Sequence, residues 1–504
     1  MKDQSRTIVR SAFSFLSGTL LSRLSGVARD MSMAFCFGTS ASIAAFLVAL
    51  RFAIILRRLL GEGALLNGFI PHFESIRNTD AKRGAQFFRD VFFSMLLLLI
   101  VLIGGAEWVL YYWIESSPIV YLVMLILPGV LFVCLFGICS GLLHCEKYFF
   151  LTSVAPVAYN AIWLIAVWGF RNEQMDAAAI GLSLAISLAF FCQWCMTVPK
   201  TVFSLREHLS WKECLQPRFF SSDVRNMLSS LSFGIVGVAA VQINTAIDAV
   251  FARVASLEGP AYLNYAIHLQ QLPLALFGIA LSSALLPPLS RAFQTEDHKL
   301  SKTLLESSVS HVLFLIIPCT AGIFALGRVS INLLFGRGDF TPISSLHTTE
   351  CLLGYGLGLI PTVLALLFAP AFYAKKDFWT PTIASLLSIL LNFILNFLFV
   401  KVFHFGPSSL AYSTSFAALV NALLLYFRLP IRATFFYSAR KPAICSIIAC
   451  GISILCDHVF FRHNPFPIQF KDQLLQFFVL FTIFGGFFIL MVRKEIVIIF
   501  GERS

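Results

Sequence analysis

The chain has 504 residues, of which 58% are hydrophobic and 12% charged, with 53 Phe and a mean hydropathy of +0.83. Soluble globular proteins carry about 25% charged residues, so this composition excludes a soluble enzyme and indicates a polytopic membrane protein. The formal net charge of +11 does not point to nucleic acid, because the cations gather in alternate connections between apolar runs, the pattern that orients a chain in a bilayer.

The start, MKDQSRTIVRSAFSFLSGTLLSRLSG, lacks a short apolar core followed by a small-residue cleavage site, so a retained first span is expected. Apolar runs of about twenty residues each suffice to cross a hydrocarbon core about 30 Å thick. Hydropathy predicts fourteen helices, near 8–28, 32–56, 88–112, 118–143, 149–170, 176–198, 226–254, 261–288, 305–328, 347–373, 379–401, 406–428, 441–461 and 473–492. One set of connections carries Lys2, Arg6 and Arg10, then Arg77, Lys82, Arg83 and Arg89, then Lys200, Arg206, Lys212, Arg218 and Arg225. The opposite set is poor in cations: Glu107 and Glu115 have no Lys or Arg between them, and Arg171 is offset by Glu173 and Asp176. The positive-inside rule then places both termini in the cytoplasm, and an even number of spans agrees.

A weak internal repeat organises the chain. GALLNGFIPHFESIR (63–77) resembles ALSSALLPPLSRAF (280–293), with Pro71 facing Pro287, and HCEKYFFLT (144–152) resembles YAKKDFWTP (373–381). A six-helix unit used twice returns to the same side of the membrane, which is parallel-repeat transporter architecture. The expected fold is therefore all-α, with an N-terminal lobe over 1–198 (helices 1–6), a cytoplasmic linker over 199–225, and a C-terminal lobe over 226–428 (helices 7–12). Residues 429–504 add helices 13 and 14 and a tail.

Motifs of soluble catalysis are missing: there is no P-loop, no HExxH, no paired CxxC and no phosphate-cradling GxGxxG. Cys192 and Cys195 lie one helical turn apart inside a span without a second pair nearby, which reads as packing rather than a metal or redox site. A non-enzymatic transporter without a metal or other cofactor is expected, driven by an ion gradient, the membrane potential or the substrate's own gradient.

The stretch Ser22–Gly68 holds Arg23, Arg29, Arg51, Arg57 and Arg58 among apolar residues. An Arg at the centre of a membrane helix costs roughly 2.5–3.5 kcal/mol on insertion scales, so such a cluster implies a polar cavity facing an anion, or side chains that snorkel to the headgroups. Arginine suits a phosphate because its planar fork forms bidentate, charge-assisted hydrogen bonds and stays protonated. Arg23 and Arg29 stand about 120° apart on an ideal helix, with Gly26 between them as a bending point. In the second half, His268 with Gln270 and Gln271 occupies the related apolar run, and Pro273 and Gly278 are candidate bending points. Asp248, with Gln242 and Asn244 before it, and the i, i+4 pair Asn392 and Asn396 supply oxygens suited to a monovalent cation. A polar clasp between helices is the other reading of these residues.

SRLSGVARD, LRRLLGEGA, LLPPLS and APAFYAKKDFWTP, in this order and spacing over roughly residues 10–430, resemble the MurJ/MviN family of lipid II flippases. That family belongs to the multidrug/oligosaccharidyl-lipid/polysaccharide exporter superfamily. The resemblance implies two six-helix lobes plus two C-terminal helices. It implies a bacterial cytoplasmic (inner) membrane location, and transport of undecaprenyl-diphosphate-linked MurNAc-pentapeptide-GlcNAc to the periplasmic leaflet for peptidoglycan synthesis. Alternating access would carry the cargo. Arg23 and Arg29 fall on the family's paired first-helix arginines and Arg57 on its second-helix arginine, which implies that these three grip the diphosphate and headgroup. Two positions depart from the family pattern: Ala44 replaces an Asp early in helix 2, and Ile267–His268 replaces Asp-Arg in helix 8. Membrane lipids and cell-wall synthesis proteins are the further partners implied. Another lipid-linked glycan as cargo, or a non-transporting membrane scaffold, are the competing readings.

Overall fold

The computed structural model describes residues 2–61, 64–114, 117–430, 436–461, 466 and 469–501. Side chains at 2–16, 64–67, 230–241, 436–438 and 494–501 are also outside the description, as are Glu115 and the side chains of Lys2, Arg6 and Arg10. The described residues form α1 (Lys2–Phe37), α2 (Ala41–Leu60), α3 (Ala64–Arg77), α4 (Ala81–Trp113), α5 (Pro118–Cys145), α6 (Phe149–Gly169) and α7 (Met175–Cys195). The short helices α8 (Val198–Arg206) and α9 (Trp211–Cys214) lead to α10 (Ser222–Ala255). The chain continues through α11 (Gly259–Pro273), α12 (Ala280–Gln294), α13 (His298–Phe335), α14 (Pro342–Ala374), α15 (Trp379–Phe397), α16 (Ser408–Arg428), α17 (Phe436–Phe460) and α18 (Phe470–Gly501). Among the described residues, eleven helical stretches are long and apolar enough to cross a membrane. α2, with 20 residues, is long enough but falls outside those eleven. In α2 the reason is Arg51, Arg57 and Arg58.

The helices gather into two compact units, Met1–Ala249 and Val250–Ser504. In the first, α5 packs on α2, α4 and α7, and α6 packs on α1 and α7; in the second, α14 packs on α11, α13 and α16, and α15 packs on α16. The helix starts repeat as well. Asp80 caps α4 by accepting from Lys82 N (2.8 Å), and Asp297 caps α13 by accepting from Leu300 N (2.9 Å). Ser117–Pro118 opens α5 and Thr341–Pro342 opens α14, each hydroxyl accepting a first-turn N–H while the proline fills a position whose own N–H has no helical partner. Lys147 and Lys376, which the sequence repeat aligns, both take left-handed backbone, at φ 63° and 61°.

The tightest correspondence is a helix crossing. A Cβ on Gly129 of α5 would stand 2.6 Å from Ser187 Cα of α7, and one on Gly358 of α14 would stand 2.9 Å from Ser415 Cα of α16. At each crossing the serine donates to the carbonyl four residues before that glycine: Ser187 Oγ to Leu125 O (2.8 Å) and Ser415 Oγ to Gly354 O (2.6 Å). Small residues let backbones approach where no hydrophobic effect drives helices together in lipid, and the serine adds a hydrogen bond across the contact.

Three boundaries differ from the hydropathy reading. α1 runs without interruption through Gly26 and Arg29 to Phe37, stopping where Gly38 turns at φ 56°, a conformation open to glycine. Charge inside a continuous helix had mimicked a loop near residue 30. The stretch after α2 is itself a helix, α3, while its counterpart α12 continues from α11 through a π-helical turn, Leu274–Ile279, directly after Pro273 and including Gly278. The linker 199–225 is largely helical, because Pro199 fits the first turn of α8 and Ser210 and Glu213 form a capping box on α9. α17 and α18 pack on α13 and on each other, where Arg328 of α13 pairs with Asp457, which also accepts from Gln476 Nε2 (2.9 Å).

Candidate functional site

The first unit builds a polar centre where α1 crosses α6. Gly18, Ser22, Ser25, Arg29 and Met33 recur at spacings of three and four and so share one face of α1. A Cβ at Gly18 would lie 2.1 Å from Ser153 Oγ, so the helices meet closely there. Above that contact, Asn160 of α6, only 5% exposed, donates to Ser25 Oγ (2.8 Å) and Ser22 O (3.1 Å) and accepts from Arg29 Nη1 (2.9 Å). Arg29 also donates from Nε and Nη2 to Asp30 Oδ1, at 2.9 and 2.7 Å. Its guanidinium lies over the Trp163 ring, 4.2 Å from the centroid, and beside Tyr159 at 5.9 Å. Trp163 is fixed in turn by Nε1–H donation to Met33 Sδ (3.3 Å) and an edge contact with Phe46.

Arg29 is therefore held on three sides: a carboxylate neutralises it, an amide orients it and an indole covers its face. Arg57, in the last turn of α2, is half-buried and acts electrostatically on Tyr159, as Arg29 and Asp30 do. Of the three expected substrate-binding arginines, Arg29 is thus seated in this centre, while Arg57 stands on α2 and Arg23 on α1. Arg23 and Arg58 are exposed, and Arg51 is half-buried. Because Gly26 leaves α1 unbroken, Arg23 remains off the face that carries Arg29. Ala44, standing where the family pattern has an Asp, is completely buried.

In the second unit His268 is half-buried on α11, one turn past buried Tyr265. Asn392 and Asn396 are completely buried on one face of α15, and Asn396 Oδ1 accepts from Ser413 Oγ of α16. That contact is an interhelical clasp. Asp248 is half-buried on α10, near the end of the first unit.

Asp30, Asn160, Tyr159 and Trp163 were not singled out from sequence. Signals for them existed. Asn160 is the only amide in α6, Tyr159 and Trp163 flank it at helical spacing, and Asp30 follows Arg29 directly. A second Arg–Asp pair of the same form occurs at Arg89–Asp90. There Nε and Nη2 donate to Asp90 Oδ1 at 2.9 and 2.7 Å, and Nη1 donates to Glu213 O at 2.7 Å.

A doubled pattern of helix caps and crossings, long apolar helices and an arginine centre held within the helices define a multi-pass membrane protein of the transporter class. The protein-family model for the lipid II flippase MurJ matches residues 33–469. A probable lipid II flippase MurJ of Chlamydia pneumoniae is 32% identical over 471 residues, covering 90% of this chain and 84% of the relative. The chain belongs to the MurJ lipid II flippase family. A solved lipid II flippase MurJ in an inward closed conformation shares the fold with a TM-score of 0.78 at 23% identity, over 96% of this chain and 99% of that one. An inward-facing multidrug-resistance MATE transporter shares it more loosely, with a TM-score of 0.62 at 14% identity, over 87% of this chain and 99% of that one.

Proposed function

We propose that this chain is a lipid II flippase that moves the undecaprenyl-diphosphate-linked peptidoglycan precursor from the cytoplasmic to the periplasmic leaflet by alternating access. The observation that carries the reading is the family match over residues 33–469, which takes in helices of both units rather than one motif. The chain lies in the bacterial inner membrane with both termini cytoplasmic, as the sidedness of its connecting cations supports. Residues 1–198 and 226–428 serve as the lobes, 199–225 as the cytoplasmic linker and 429–504 as an added helix pair.

Arg23, Arg29 and Arg57 bind the diphosphate and headgroup, in distinct ways that follow from their surroundings. Exposed Arg23 and half-buried Arg57 supply attraction. Arg29 carries its own counter-ion, so the empty state buries no bare charge, whose cost would be several kcal/mol. An incoming diphosphate competes with Asp30 for the same guanidinium, while Asn160 and Trp163 keep that guanidinium in place. Partner exchange of this kind makes binding reversible, which a transporter needs for release. His268 contributes a hydrogen-bond donor. The π-helical turn at Leu274–Ile279 is a natural place for bending, because its hydrogen bonds depart from the α-helical register. Resetting draws on the membrane potential, about 2.3 kcal/mol per charge per 100 mV, or on a cation at Asp248. If the cation is used, Asp248→Asn abolishes sodium or proton dependence of flipping in vesicles; unchanged ion dependence removes Asp248 from the mechanism.

The functional test is complementation of a bacterium depleted of its own lipid II flippase, with Arg23→Ala and Arg29→Ala expressed at parental levels. Rescue by the parent alone is the expected result. Rescue by all three keeps the function and discards the arginine site. Failure of a well-expressed parent favours another lipid-linked glycan or a scaffold.

A further inference from the structure

An apolar cavity lies in the first unit at the end of the spans next to the linker, away from the Arg29 centre. It measures about 180 Å³ and is walled by Phe88, Phe92 and Phe93 of α4, Leu205 of α8, and Trp211 and Leu215 of the α9 segment. That exceeds the ~150 Å³ apolar cavity able to take up benzene, so several methylenes fit. Besides Arg89, whose guanidinium is committed to Asp90 and to Glu213 O, the Trp194 Nε1–H and the Thr201 hydroxyl break the apolar lining. Both face the Cys139 thiol, a weak acceptor, and no oxygen accepts from either, although Thr201 is only 5% exposed. A thiol satisfies buried donors poorly, so an oxygen acceptor brought beside them is favoured.

The mouth of this cavity has the character of a membrane interface. Trp211 and Leu215 line it yet are 59% and 71% exposed, and Phe203 on α8 is 55% exposed. Arg206 stacks on Trp211, 4.5 Å from the ring centroid, and Lys212 stands exposed beside it. The segment 199–225 has five cations against three carboxylates. Two of those carboxylates, Glu213 and Asp223, are already paired with Lys82 (2.6 Å) and Arg83 (3.1 Å) of α4. Uncompensated positive charge beside exposed aromatic side chains matches an anionic headgroup layer.

We propose that this cavity holds an acyl chain of an anionic phospholipid from the leaflet next to the linker, with ester oxygens accepting from Trp194 Nε1–H and Thr201 Oγ–H and the headgroup meeting Arg206 and Lys212. A polyprenyl chain offers no ester oxygen to those donors, which separates this lipid from a flippase cargo. Bound there, the lipid bridges α4, α7, α8 and α9 and fixes the linker to the bilayer surface.

The test is native mass spectrometry of the full chain in detergent, titrated with dioleoyl phosphatidylglycerol and, in parallel, dioleoyl phosphatidylcholine. One phosphatidylglycerol retained per chain, at least fivefold over phosphatidylcholine, is expected. Val202→Phe, which fills the cavity, should abolish retention, and the near-isosteric pair Trp194→Phe with Thr201→Val should weaken it without loss of folding. Lys212→Gln should lower the phosphatidylglycerol preference about fivefold, the share of one juxtamembrane cation. Equal retention of the two lipids, or parental retention by the well-folded Trp194→Phe/Thr201→Val variant, overturns the proposal.

Discussion

Asn160→Ala tests whether the α1–α6 crossing holds Arg29 as described. The substitution removes two neutral hydrogen bonds, to Ser25 Oγ and Ser22 O, and one accepted from the Arg29 guanidinium. Neutral interhelical bonds in membrane proteins average about 0.6 kcal/mol each, whereas a bond to a charged group contributes about 1.5–3 kcal/mol. The Arg29 side chain is only 15% exposed, so water replaces the lost acceptor incompletely. A destabilisation of about 3 kcal/mol is expected, most of it from Arg29. Ser25→Ala separates the contributions: it removes one neutral bond from Asn160 and leaves Arg29 its acceptor, and should cost about 0.6 kcal/mol. Unfolding of the purified protein in detergent, followed by intrinsic fluorescence, provides the measurement. A double-mutant cycle with Arg29→Ala should show at least about 1 kcal/mol of coupling. If the two substitutions add to within about 0.5 kcal/mol, Asn160 does not hold Arg29 and the site is wrongly drawn.

The repeated crossings predict matched sensitivity: Gly129→Ala and Gly358→Ala should each cost about 1–3 kcal/mol through overpacking. Gly104→Ala, with nothing within 4 Å of the added methyl, should be neutral or stabilising by up to about 1 kcal/mol; melting temperatures that fail to separate the two classes would refute the crossing geometry. Asp457→Ala removes the carboxylate partner of Arg328 and an acceptor of Gln476. It should cost about 2 kcal/mol, below the 3–5 kcal/mol of a fully buried pair, and should raise hydrogen exchange in α17 and α18 before the rest of the chain. Hydrogen bonds from Lys82 and from Ser210 draw the Glu213 carboxyl from 4.5 down to about 2. Because the folded value is depressed, its contribution to linker docking is present above pH ~4.5 and lost as pH falls toward about 2. Proteolysis of 207–222 should accelerate across that window in the parent and lose this pH dependence in Glu213→Gln.

Much of this organisation was legible in the sequence because a bilayer permits few solutions. Every backbone polar group in the hydrocarbon must be paired internally, so apolar runs of sufficient length become helices. The repeat at Lys147/Lys376 was readable for a related reason, since turns after helix ends constrain residue type. Boundaries failed where charge sits inside a helix: hydropathy breaks the chain near Arg29, whereas the helix ends at Gly38. The site was legible in its cations and not in their partners. Periodicity gives the face that Arg29 occupies, but it does not say that this face meets Asn160, 131 positions away. The Ser187–Leu125 and Ser415–Gly354 contacts escaped likewise, because serine and glycine are common in such helices and only their pairing across a crossing is distinctive.

The arginines of the first unit show how the chain reconciles positive charge with lipid. Arg29–Asp30 and Arg89–Asp90 are adjacent pairs with the same two donors on the same carboxylate oxygen, and in both Nη1 reaches another element. Each pair is neutral as a unit, so insertion does not carry the penalty of an isolated guanidinium, and each retains a directional donor. The pairs differ in what Nη1 finds. Arg89 meets the Glu213 carbonyl while Asp90 accepts from Arg218 N (2.9 Å), so its pair is fully committed to fixing the linker. Arg29 meets the Asn160 side chain, within reach of Arg57's field and beside an aromatic face. A neutral pair exerts little pull on a distant anion, so under the proposed function the exposed Arg23 and Arg58 would supply long-range attraction and Arg29 would set the geometry once the anion arrives. Removing Arg23 should therefore weaken capture in a salt-dependent manner, whereas removing Arg29 should impair transport at every ionic strength.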